Sequence, residues 1–235
     1  MAVQDVKIVL TDVQAARKNW SLTAQGTLYE GTHLISGAVG SGKSTLALML
    51  AGLFPPVSGH IEREDVSTLM VSFQYPEYHI TGTTLEEECS SWGLDPFSVL
   101  TAANLTGKKT ENPIKLSRGE LKMLLLACVL AGNYDLLILD EPFSSLDCYG
   151  KERICKRISE RSRGITVIFT HEQTIFPRID RIWEIRNGEL CDRGGLPEAL
   201  RHWYYAPKVI KNLISAGKIP KNITPGDLLE AACRT

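Results

Sequence analysis

Residues 37–45 read Gly37-Ala-Val-Gly40-Ser41-Gly42-Lys43-Ser44-Thr45, the pattern G-x-x-x-x-G-K-[ST]. An apolar strand, His33-Leu-Ile-Ser36, runs into it, and Lys43–Leu53 has helical composition. Strand, glycine loop and helix form the opening half of a βαβ unit, which commits the chain to an α/β architecture with a parallel sheet. Backbone N–H groups of such a loop cradle phosphates, and the helix dipole favours the anion there. Gly37, Gly40, Ser41, Gly42, Lys43, Ser44 and Thr45 are therefore the phosphate-binding candidates. Lys43 can reach the β- and γ-phosphates, and the Ser44 hydroxyl can ligate Mg²⁺.

Further apolar runs extend the pattern. Val6–Leu10, Thr68–Phe73, Asp135–Asp140 and Ile165–Phe169 read as strands, the last three as buried ones, and Trp20–Glu30 could supply two more. Arg181–Leu190 alternates across an Asn187-Gly188 turn, a hairpin signal. Between residues 77 and 113 the chain turns polar and shows no convincing strand, with a capping box at Thr83–Glu86. Ser117–Glu120 is a second capping box, and Leu121–Ala131 is apolar on nearly all sides, a buried helix. Lys151–Arg163 is an amphipathic helix, and Thr224-Pro225 caps a terminal one. Ligands of such sheets bind at the C-terminal ends of the parallel strands. Asp140 ends one strand, which puts its carboxylate near the Mg²⁺.

Net charge is −1, so no basic footprint for nucleic acid exists, and the clusters at Lys151–Arg163 and Lys208–Lys221 read as solvated helix faces. No run of about 18 apolar residues occurs. The N-terminus lacks a charged-then-apolar leader, and the six scattered cysteines, without a C-x-x-C pair, fit reduced thiols. The expectation is a cytoplasmic protein.

Six motifs in fixed order carry a resemblance: the Walker A loop above, Phe73-Gln74, Leu116-Ser117-Arg118-Gly119-Glu120, Leu136-Leu-Ile-Leu-Asp140-Glu141, Ser145-Leu146-Asp147 and His171. From about residue 3 to 190 the chain resembles the ATPase subunit of ATP-binding-cassette (ABC) machines. That resemblance implies ATP and Mg²⁺ as cofactors. It assigns Glu141 to polarise the attacking water, Gln74 to the Mg²⁺ or water and to sensing a membrane partner, and His171 to the γ-phosphate. Ser117, Gly119 and Glu120 would hold the γ-phosphate of a second ATPase subunit, a plain capping box being the other reading, and Asp147 would meet that subunit. Arg118 departs from the commoner Gly, and Lys122-Met123 from the more basic residues usual there. Trp20 stands where the family places an adenine-stacking aromatic, with a place in the core as the competing reading and Tyr29 as a weaker candidate.

Phe73-Gln74-Tyr75-Pro76-Glu77-Tyr78 and the tail, Pro207–Leu213 with Ile219–Leu229, are similar to the ATPases of energy-coupling-factor (ECF) transporters, which include cobalt and nickel importers. The resemblance implies an ABC ATPase domain over 1–200 with a helical subdomain at about 77–133, and a helical extension over 201–235. It implies a chain that pairs with a second ABC ATPase subunit, homomeric or heteromeric, and docks on an integral membrane subunit at the inner face of the membrane. Tyr75–Glu88, with its acidic run Glu86-Glu87-Glu88, is the expected contact, a solvated helix start being the alternative. An ABC transporter ATPase outside the ECF group and a soluble scaffold ATPase are the competitors. The interval from Lys43 to Asp140 is too short for the coiled coil of DNA-repair members.

Overall fold

The apolar runs join in one nine-stranded sheet in a computed structural model, which describes residues 6–17 and 19–233. The strands are β1 (Lys7–Arg17), β2 (Trp20–Leu28), β3 (Gly31–Gly37), β4 (Ser58–Glu64), β5 (Leu69–Ser72), β6 (Leu136–Asp140), β7 (Ile165–Phe169), β8 (Arg181–Arg186) and β9 (Glu189–Gly195). Their order across the sheet is β4-β1-β2-β9-β8-β3-β7-β6-β5. The run from β8 to β5 is parallel, as is β2 with β9, while β1 pairs antiparallel with β2 and β4, and β8 with β9. The expected α/β fold with a mostly parallel sheet is therefore present, with an antiparallel wing.

Alternation along the central strands divides the core into two layers. Ile35, Ile138, Val167 and Phe169 face α1 (Lys43–Leu50) and the antiparallel wing. Leu34, Leu137, Leu139 and Ile168 face the other layer. That layer holds α2 (Leu85–Ser91), α3 (Pro96–Ala103), α4 (Arg118–Val129) and α5 (Cys148–Ser159). Both faces of these strands are covered, which is why they read as continuous apolar runs. The tail helices α6 (Lys208–Ser215) and α7 (Pro225–Cys233) follow β9. Trp203, Ala206, Ile210 and Ile223 belong to the same apolar cluster as Leu34 and Leu137, so the residues beyond 201 are seated on the domain core. The Trp203 indole N–H donates to Ser36 Oγ at 2.8 Å, one residue before the glycine loop.

Several local expectations shift. Trp20–Leu28 is a single strand. β4 was not legible, because it is an edge strand whose Ser-Gly-His-Ile-Glu-Arg-Glu sequence leaves most side chains half or fully exposed. Its Arg63 nonetheless donates to Met49 O and Leu50 O, both at 2.8 Å, and so satisfies carbonyls at the end of α1. The cap of α2 is Thr84 rather than Thr83: its hydroxyl accepts from the Glu87 N–H, and Glu87 reaches back to Thr83. Glu88 does not belong to an exposed acidic run. It is fully buried and accepts from Thr81 N, Gly82 N and the Trp92 indole. The Asn187-Gly188 hairpin, the Ser117–Glu120 box and the Thr224 cap form as read.

His33, on β3, is buried with its Nε2 donating to Tyr29 O at 2.7 Å and its Nδ1 accepting from the Trp183 indole at 3.0 Å. Burial pushes its pKa below the usual histidine value. The unfolded chain takes up this proton near pH 6.5, the folded chain only at lower pH. The unfolded state then binds more protons, so the stability contributed by neutral His33 is complete above about pH 6.5 and is lost as pH falls below it, at up to about 1.4 kcal/mol per pH unit. Urea unfolding at pH 7.5 and 5.5 should show a smaller acid loss for His33→Gln than for the wild type. Equal losses would mean that His33 titrates freely.

Candidate nucleotide site

Register brings the motifs together. Ile35 on β3 pairs with Phe169 on β7, and Phe169 pairs with Asp140 on β6. Ser72 on β5 pairs with Leu139. The residues that follow these four strands are the glycine loop, His171, Glu141 and Gln74. They emerge side by side and line one cavity of about 370 Å³ with Trp20, Gly40, Gly42, Lys43, Ser44 and Thr45.

Lys43 is buried, and its ammonium donates to Gly37 O at 2.9 Å and Ala38 O at 3.0 Å. A cation is thereby fixed inside the loop; burial lowers its pKa, while Glu141 and Asp140 oppose that shift. Gly42 precedes α1 with φ 106°, a left-handed conformation that favours glycine, and no side chain caps the helix. A Cβ at Gly42 would overlap the Trp20 ring. The indole is half-buried and packs on both the loop and the edge of the core, so neither reading of Trp20 excludes the other. Tyr29 lies beyond the opposite end of β2 and does not line the cavity.

Glu141 sits at φ 48°, a strained backbone for a residue with a side chain, directly after β6. Its N–H donates to Phe169 O at 2.8 Å. One carboxylate oxygen accepts from Thr170 Oγ1 at 3.0 Å, and the other lies 2.7 Å from His171 Nδ1. Asp140 is buried, and burial raises its pKa while a hydrogen bond from Ser44 opposes the rise. Its Oδ1 has no hydrogen-bond partner among the described residues. Asp140 is not itself among the residues lining the cavity, but it bonds Ser44, which lines it with the exposed Gln74. An orphaned buried carboxylate oxygen, a serine hydroxyl and an amide are a donor set of oxygens that suits a hard divalent cation.

Ser117, Gly119 and Glu120 do not join this cluster. With Asp147, Ser145, Tyr149 and Arg153 they line a separate cavity of about 430 Å³, to which the glycine loop contributes nothing among the described residues. Ser117 and Glu120 close a reciprocal capping box. Glu120 also pairs with Lys108 at 2.8 Å, and that contact, with Ser117, holds its carboxyl down at about 2. Gly119 passes close under Ser145, where a Cβ would approach Ser145 O to 2.7 Å. Asp147 caps α5 by accepting from the Gly150 N–H at 2.7 Å. Arg118 is exposed.

The ABC transporter family pattern matches residues 22–144. The chain belongs to that family. It is 29% identical to the energy-coupling factor transporter ATP-binding protein EcfA2 of Thermotoga maritima, over 86% of this chain and 86% of that protein. It is 31% identical to EcfA1 of Fusobacterium nucleatum, over 86% of this chain and 89% of that one. Two solved structures, each 20% identical, share its fold. A bacterial Atm1-family ABC exporter with ATP bound superposes with TM-score 0.74, over 87% of this chain and 42% of that one. A dimeric ATP-binding cassette bound to ADP and phosphate gives 0.62, over 78% and 96%. This chain is thus an ABC-type ATPase, of a family that binds ATP.

Two parts of the site were missed in the sequence. Thr170 anchors Glu141, and nothing marks a threonine at a strand end in advance. Lys122 was noted only as a departure from the usual signature, yet it is 1% exposed and donates to Phe73 O and Gln74 O. Burial pushes its pKa down to about 8. A lysine inside an otherwise apolar helix was the available signal.

If the indole carries the adenine ring, Trp20→Ala should weaken ATP binding by about 1 kcal/mol, roughly fivefold, while Tyr29→Ala leaves it unchanged. Isothermal titration with ATP measures both. Equal affinities for Trp20→Ala and wild type would return Trp20 to the core.

Proposed function

We propose that this ABC ATPase works as the ATP-hydrolysing subunit of an ECF-type importer for a micronutrient, a vitamin or a cobalt or nickel ion. The observation that carries this is the reach of the similarity: the two ECF ATPases match over 86% of the chain, far beyond the 22–144 core common to the family. The exposed rings of Tyr75 and Tyr78, held edge to face at 5.9 Å just after Gln74, suit a partner surface next to the site. No helix among the described residues is long and apolar enough to cross a membrane. Attachment to the inner face of the membrane would come through the integral membrane subunit, with no role for nucleic acid.

In this reading the loop N–H groups from Gly37 to Thr45 and the Lys43 ammonium bind the phosphates. Ser44, Gln74 and Asp140 would hold Mg²⁺, which neutralises phosphate charge when bound. Glu141, oriented by Thr170 and His171, accepts a proton from the attacking water and aligns it; such positioning and charge compensation are what phosphoryl transfer to water requires. His171 faces the γ-phosphate. The separation of the Ser117–Glu120 cavity from the glycine loop favours a composite site. A second ATPase subunit, identical or not, would bring its own signature helix N-terminus to the γ-phosphate.

Glu141→Gln keeps the shape but removes the proton acceptor. Hydrolysis should fall by at least two orders of magnitude, and light scattering with ATP and Mg²⁺ should detect a dimer that outlasts the wild-type one. Wild-type turnover in the variant would remove Glu141 from catalysis. Tyr75→Ala with Tyr78→Ala should reduce co-purification with the membrane subunit severalfold while leaving hydrolysis by the isolated chain intact. Undiminished co-purification and uptake would put the contact elsewhere.

A further inference from the structure

Lys122 has no part in the scheme above. Its side chain is buried on α4, and leucines, Met123 and Ala127 make up most of the surrounding helix. Its Nζ donates to Phe73 O at 3.1 Å and Gln74 O at 3.3 Å, across 49 and 48 residues of chain. Asp140, Glu141 and Glu77 lie close enough to favour its charge. From the other side His79 Nε2 accepts from the Phe73 N–H at 3.2 Å, and its ring stacks on Phe73 at 5.1 Å. The turn that presents Gln74 is therefore gripped on both sides: one N–H by His79 and two successive carbonyls by Lys122.

A buried ammonium loses its hydration, and a methionine of similar length would fill the same space without that loss. The compensation lies in the two carbonyls and in the carboxylates of the site. The side chain also makes a mechanical link. It leaves the helix whose N-terminus carries Ser117 and Gly119 and ends on the backbone of Gln74.

We infer that Lys122 is the positioning residue for Gln74, tying the signature helix to the glutamine turn so that the two move together. The inference rests on the proposed role of Gln74 at the hydrolysis site. A rigid displacement of α4 then shifts Gln74, and the distance from Gln74 to the phosphates follows the position of the signature.

The test uses the full chain with Lys122→Met, which keeps length and loses the donor, and Lys122→Gln, which keeps an amide donor. ATP affinity without Mg²⁺, kcat, and the Mg²⁺ concentration for half-maximal hydrolysis are measured for each, together with thermal unfolding. Lys122→Met should bind Mg²⁺-free ATP within about twofold of wild type, lose at least tenfold in kcat, and need at least fivefold more Mg²⁺; Lys122→Gln should recover most of both. Gln74→Ala should show the same pattern, and the double variant Lys122→Met/Gln74→Ala should be no worse than the weaker single one. Unchanged kcat and Mg²⁺ dependence in folded Lys122→Met, or additive losses in the double variant, overturn the inference while the ATPase reading stands. Should Lys122→Met fail to fold, Lys122→Ala, which also lacks the donor, takes its place: a raised Mg²⁺ requirement that Gln74→Ala does not deepen supports the inference, and normal Mg²⁺ dependence or additive losses overturn it. Absence of Mg²⁺-dependent hydrolysis in the wild type overturns the ATPase reading and the inference with it.

Discussion

Backbone hydrogen bonds between β3, β7, β6 and β5 fix the positions of the charged groups at one end of the sheet. The strands are parallel, so their C-terminal ends share an edge, and the residue after each strand falls beside the residue after the next. Within that edge the glycine loop, His171, the Asp140-Glu141 pair and Gln74 need no long side chain to meet. A slip of one residue in β6 would turn Asp140 to the other face and Leu139 toward the cavity, because side chains alternate with period two. The apolar layers on both faces are what forbid that slip. The leucines and isoleucines that look merely structural therefore set where the carboxylates stand.

Around this edge the polar contacts follow a consistent division. Groups at the cavity are held from the strand ends and the loop: Lys43 by loop carbonyls, Glu141 by the Thr170 hydroxyl and, through its own N–H, by Phe169 O. The capping groups at Ser117, Glu120 and Asp147 are satisfied within their own helices or by Lys108. Among the described residues two buried oxygens lack a hydrogen-bond partner, Asp140 Oδ1 and Ser41 Oγ. Burial raises the Asp140 pKa, a cost that a divalent cation would reverse.

The tail is bound into the same arrangement. Trp203 bonds Ser36 at the base of the glycine loop, and Tyr205 N–H donates to the buried Glu184, which also pairs with Arg193. These bonds to β3 and β8 anchor the segment just ahead of α6, while Ile210 of α6 and Ile223 join the core and Asn222 bonds the backbone of Ile179. Neither terminal helix lines the cavity beside the glycine loop.

The sequence by itself determined the motifs, their order and the strands that carry them. Strand-loop-helix around Lys43, the apolar run into Asp140, the Asn187-Gly188 turn and the Ser117–Glu120 box are local patterns, and local backbone chemistry realises each. Polar edge strand β4 escaped notice because its pairing with β1, not its own pattern, makes it a strand. Thr84 displaced Thr83 as a cap by one residue, since two successive threonines and three successive glutamates offer the same box in two registers. Lys122, Thr170 and Glu88 were decided by tertiary structure alone. Their partners lie at Phe73 and Gln74, at Glu141, and at Thr81 and Trp92, and a buried polar group acquires its role only when packing brings a partner to it. The separation of Ser117–Glu120 from the glycine loop of the same chain is likewise a fact of packing: the two helix N-termini open on different cavities, and no spacing in the sequence encodes that distance.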